Sequence, residues 1–106
     1  MNVPRNRNLT LLQSRRVAAF ELPSITVEML YQTALRRFLE YGDQLLIANA
    51  AVKDWVDIVD EDGNAILTES ADAYPGIFEE IWVSVEDYGP TSTEGLVITI
   101  HLPEEH

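Results

Sequence analysis

Cysteine is absent from this 106-residue chain, which excludes disulfides, thiolate metal ligands and cysteine nucleophiles and leaves the redox compartment unmarked. No apolar run approaches the roughly 18 residues that a membrane-spanning helix needs. The opening stretch, MNVPRNRNLTLLQSRR, lacks a continuous apolar segment of the kind that a secretory signal requires. The expectation is a cytoplasmic protein, not exported by the usual signal and not bound to a membrane.

Chemistry-bearing motifs are equally scarce. His101 and His106 are the only histidines, and neither has a second histidine at helical spacing, so zinc binding and a histidine dyad are disfavoured. His101 is expected on the solvated side of its strand. Neither Gly-x-Ser-x-Gly nor Ser-x-x-Lys occurs, and no glycine-rich phosphate cradle is present, so no nucleotide cofactor is expected. Asp60, Asp62 and Glu69 match the third, fifth and twelfth positions of a calcium loop aligned on Gly63, but the first position falls on Ile58, which cannot ligate. An Asp-Gly hairpin turn explains the same residues. The adjacent carboxylates Glu79-Glu80 and Glu86-Asp87 point to opposite faces of a strand, a poor geometry for sharing one substrate.

Positive charge is the last scarcity, with seven Lys and Arg against eighteen Asp and Glu and a net charge of −11. It is also uneven. Up to Arg37 six arginines face only Glu21 and Glu28, while from Phe38 onward Lys53 alone faces sixteen acids. A field of that sign repels phosphate backbones and anionic lipid, so direct nucleic-acid or membrane binding is disfavoured and a basic protein partner is favoured. Plain solubility is the other use of such charge. Arg5, Arg7, Arg15, Arg16, Arg36 and Arg37 lack interleaved aromatics and are expected to pair with acidic surface, the chain's own or another copy's.

What is present begins with TVEMLYQTALRRFLEY, residues 26–41. Val27, Leu30, Tyr31, Ala34, Leu35 and Phe38 fall on one stripe of a helix, Pro23 blocks extension backwards, and Gly42 suits its end. Ser24 or Thr26 is available as its cap. Before it, residues 1–14 read as a flexible basic arm, with a short strand or helical turn near Leu9 to Leu12, and RRVAAFEL at 15–22 reads as a strand. After it, residues 43–52 read as a helix or irregular link, since Asn49 argues against a central strand. Residues 53–68 alternate around a turn and read as a hairpin, 69–76 as a polar loop or single helical turn, and 77–102 as a long antiparallel hairpin. A 46% apolar content supports a core for one domain. The fold class expected for 15–106 is a two-layer α+β domain, an antiparallel sheet covered by the helix.

The candidate site follows from the acids and the two tryptophans. Trp82 shares a strand face with Glu80, Ser84 and Glu86, and Trp55 stands between Asp54 and Asp57. Such aromatics among carboxylates either anchor a partner or pack under the arm or a second layer. The expected partner-binding set is Asp54, Trp55, Asp57, Asp60, Glu61, Asp62, Glu79, Glu80, Trp82, Glu86 and Asp87. In size, charge and lack of a catalytic signature the chain is similar to small acidic inhibitors of phages and mobile elements, such as anti-CRISPR proteins, and to toxin-neutralising immunity proteins. That similarity is one of composition class, carries over no residue, and implies a nucleic-acid-mimicking inhibitor of a basic, nucleic-acid-binding protein. The alternative is a structural or assembly protein that forms a homo-oligomer; a small α+β enzyme with a buried carboxylate is a third reading.

Overall fold

The computed structural model describes residues 8–50 and 54–105; Arg5, Arg7, Lys53 and His106 lie outside them. The elements are β1 (Leu9–Gln13), α1 (Arg15–Ala18), α2 (Ser24–Tyr41), β2 (Leu45–Asn49), β3 (Trp55–Asp60), β4 (Ala65–Ser70), β5 (Ile81–Asp87) and β6 (Leu96–His101). Single 3-10 turns follow at Ala71–Ala73 and Pro103–Glu105. The strands form one six-stranded sheet in the order β1-β6-β5-β2-β3-β4, and α2 packs on β5 and β6. The result is a two-layer α+β fold.

The stripe along α2 does what its spacing dictates. Leu30, Ala34 and Leu35 are buried, and Val27, Tyr31 and Phe38 pack beside them. They meet Val83, Val85, Ile98 and Ile100 in a core where each such side chain contributes about 1.5–3 kcal/mol by leaving water. Gly42 ends the helix at φ 75°, where its N–H bonds the Phe38 carbonyl. The beginning differs from expectation. Pro23 holds the cap position without a side-chain bond, and Thr26 is fully buried with its hydroxyl donated to the Pro75 carbonyl. Tyr74, expected in a polar loop, is 2% exposed and belongs to the core.

The hairpins are antiparallel as expected, β3 with β4 and β5 with β6. β5 starts at Ile81 instead of Ile77, and Phe78 is exposed, its ring edge-on to Phe20 at 5.0 Å. Residues 45–49 correct the expected helix or link. They form a strand inside the sheet, between β3 and β5, with Leu45, Leu46 and Ala48 all buried. Uniform apolarity there reflects burial on both faces, and Asn49 sits at the strand's last position opposite Asp57.

Residues 15–22 are also corrected. Ser14 accepts from the Val17 N–H and caps the one-turn helix α1, whose Val17 is buried; over so few residues alternation and a helical turn look alike. The strand lies earlier, at β1, and it runs parallel to β6 with Leu9 opposite Leu96. The sheet is therefore mixed. Tyr31 reaches from α2 to donate its hydroxyl to the Leu12 carbonyl at 2.8 Å, tying β1 to the helix layer.

Candidate functional site

Alternation along the strands sorts side chains between a face covered by α2 and an open face. In the β5–β6 register Trp82 lies opposite His101, Ser84 opposite Thr99 and Glu86 opposite Val97, all on the open face. β2 and β3 extend it with Ile47, Asn49, Trp55, Asp57 and Val59, and β1 adds Thr10 and Leu12.

His101 overturns the expectation of a surface histidine, being 6% exposed. Its ring lies edge-on to Trp82 at 6.2 Å. Nδ1 is 3.0 Å from the Leu102 carbonyl and Nε2 is 3.1 Å from the Ser84 hydroxyl. A carbonyl can only accept, so Nδ1 carries the proton and Nε2 of the neutral ring accepts from Ser84. Trp82 is half-buried and donates its indole N–H to Glu80 at 2.9 Å.

Below His101 the chain turns, and Glu105 folds back to accept from the Leu102 N–H at 2.9 Å and the Ser14 hydroxyl at 2.8 Å. The Leu102 amide first, then Ser14, hold the Glu105 carboxyl below its ordinary range, keeping it charged. Ser14, Ser84, Glu86, Thr99, His101 and Glu105 line an open cleft of about 360 Å³. Ser84 and His101 have the spacing of a nucleophile and base, but Glu86 and Glu105 line the same cleft, where their charge opposes a developing oxyanion. Hydroxyls and carboxylates facing one space suit a cationic group better.

The expected site residues divide. Trp82, Glu80, Glu86, Asp57 and Trp55 share the open face or its margin, Asp57 accepting from Thr68 at 2.7 Å and Trp55 being 48% exposed. Asp60 and Asp87 fall in the other phase of their strands, and Asp54, at φ 70°, precedes β3. Glu61 and Asp62 occupy the β3–β4 turn, and Glu79 the segment before β5. By register the acids gather at both ends of the strands, Asp60 to Asp62 with Glu86 and Asp87 at one, and Asp54 with Glu79 and Glu80 at the other.

Asp60 is occupied locally. It accepts from the backbone of Asn64 and Asp62, bonds that hold its carboxyl below the ordinary range, the Asn64 bond most strongly. The described cations, Arg15, Arg16, Arg36 and Arg37, are all on α1 and α2. Two ion pairs form among the described residues, Arg16 with Glu104 at 2.9 Å and Arg37 with Asp43 at 2.7 Å, and Arg37 also stacks on Tyr41.

A larger groove, about 510 Å³, runs between β1 and α2 and is lined mainly by Leu9, Leu11, Leu22, Val27, Tyr31 and Leu35. Among the described residues no group of acids and histidines is placed to hold a metal, and no helix is long and apolar enough to cross a membrane. No family model, curated protein or solved structure matches the chain.

Proposed function

We propose that the chain is a non-catalytic protein-binding module that receives a basic protein surface on its open sheet face. The observation that supports this most is the set of carboxylates that separate strands bring to one sheet face. Glu80, Glu86, Asp57 and Glu105 stand on or beside the open face, and the described cations are on the helices. Trp82 and the exposed Leu12 supply apolar footholds there. A lysine or arginine of the partner enters between Glu86 and Glu105, where the hydroxyl oxygens of Ser14, Ser84 and Thr99 accept its hydrogen bonds. If the partner binds nucleic acid through that surface, the module competes with phosphate and acts as an inhibitor, in keeping with its compositional likeness to small acidic inhibitors. The compartment this reading implies is the cytoplasm.

The test is titration of the full chain with an arginine-rich peptide at low and high salt. Affinity falls as salt rises, and Glu86→Gln combined with Trp82→Ala weakens it by at least about tenfold. Glu61→Gln with Asp62→Asn, on the hairpin turn, leaves it unchanged. Salt-independent affinity, or equal losses from both pairs of substitutions, overturns the proposal.

A further inference from the structure

The two edges of the sheet are built differently. β4 carries exposed Thr68, Glu69 and Ser70, and its pairing with β3 is interrupted by an irregularity between Ile58 and Val59. Charge and irregularity of this kind discourage further strand pairing. β1, LTLLQ, has neither. Leu9, Leu11 and Leu12 are 38%, 46% and 46% exposed, and no described strand lies beyond them.

Hydrogen-bond parity shows what that edge offers. The Asn8 carbonyl accepts from Leu96 and the Ser14 N–H donates to Ile100, so the even-numbered residues of β1 point their backbone groups at β6. Leu9, Leu11 and Gln13 point theirs outward. The side chains of Leu9, Leu11 and Gln13 line the groove beside α2.

We propose that a second copy of this chain pairs antiparallel with β1 about a two-fold axis at Leu11. In that register Leu11 faces Leu11 of the other copy and Leu9 faces Gln13, each as a hydrogen-bonded pair. Both α2 helices lie on one side of the joined sheet, and the two apolar grooves merge across the axis. Symmetry selects this orientation: both edges turn their odd-numbered backbone groups outward, which an antiparallel pair about one two-fold axis satisfies in register, whereas a parallel pair is offset by one residue and does not close. The start of β1 is fastened to the loop that holds Glu94, through Asn8 to the Thr93 carbonyl at 2.7 Å and Thr10 to the Glu94 carbonyl at 2.8 Å. The end of β1 leads into exposed Arg15. Antiparallel pairing sets Arg15 of each copy toward the Glu94 end of the other. The second copy makes no contact with the opposite sheet face, so this dimer and the binding role proposed above stand or fall separately.

Sedimentation of the full chain over a wide concentration range tests the proposal. A dimer is expected, and it tightens as salt rises because the two bodies repel, the reverse of the dependence expected for a basic partner. Leu11→Lys places two ammonium groups face to face and raises the dissociation constant at least about tenfold. Thr68→Lys on β4 has no effect. Hydrogen exchange on the unaltered chain gives an independent reading: the Leu9, Leu11 and Gln13 amides gain protection as concentration rises. A strict monomer, a dimer indifferent to Leu11→Lys, or concentration-independent exchange at those amides overturns it.

Discussion

Ser84 and His101, on neighbouring strands, share a hydrogen bond of 3.1 Å whose direction is set by a third group, the Leu102 carbonyl on the opposite side of the ring. The neutral ring is thereby held as the Nδ1–H tautomer. Nitrogen NMR of the neutral ring is expected to show that tautomer. Ser84→Ala costs about 1 kcal/mol in urea unfolding, and an Nε2–H signal would contradict the assignment.

Glu105 ties the turn after β6 to the start of α1, and its carboxyl lies below the ordinary range because the Leu102 amide and then the Ser14 hydroxyl bond it. A depressed acid contributes stability that is complete above its unfolded-state value and is lost as pH falls through its folded-state value. Glu105→Gln keeps the acceptor and removes the charge. The melting-temperature gap between the two proteins is widest near neutrality and closes in acid, measured from about pH 7 to about pH 3. A gap that widens in acid would refute the assignment.

Gly95 sits at φ 65°, and a Cβ placed there would lie 2.0 Å from the Asn8 carbonyl oxygen. Gly95→Ala forces the start of β1 off β6. A loss of at least about 2 kcal/mol is expected, with faster hydrogen exchange in Leu9–Gln13. Gly63→Ala meets nothing within 4 Å and carries only the backbone cost, about 1 kcal/mol.

Thr26 is buried at the first turn of α2 and bonds the Pro75 carbonyl. Thr26→Val keeps the shape and removes the donor, so about 1–3 kcal/mol is lost in thermal or urea unfolding. Ser24→Ala, on an exposed residue that makes no cap, changes stability by less than about 0.5 kcal/mol.

The parts of this fold that could be read from sequence are those whose apolar residues recur at the period of their element. Val27 to Phe38 and Leu96 to Leu102 alternate apolar and polar positions at the period of their element, so α2 and β6 were legible. β2 was not, because Leu45 to Ala48 are apolar on both faces and carry no period. β1 was not firmly placed, because its parallel partner lies at the far end of the chain. The cleft was hidden for a similar reason: Ser14, Ser84, His101 and Glu105 come from separate segments that only the sheet order brings together. Trp82 and Glu80 were readable from a spacing of two. The position of His101 opposite Trp82 follows once the β5–β6 register is known.

The bond from Asn8 to Thr93 joins residues 85 apart in sequence. Of the described strands, β1 leaves the ribosome first and its neighbour β6 last, so its leucines wait for that partner until the other strands have been made. The sheet cannot be completed on the nascent chain until β6 has emerged, and that late long-range closure makes its final pairing slow compared with a helical bundle of similar length.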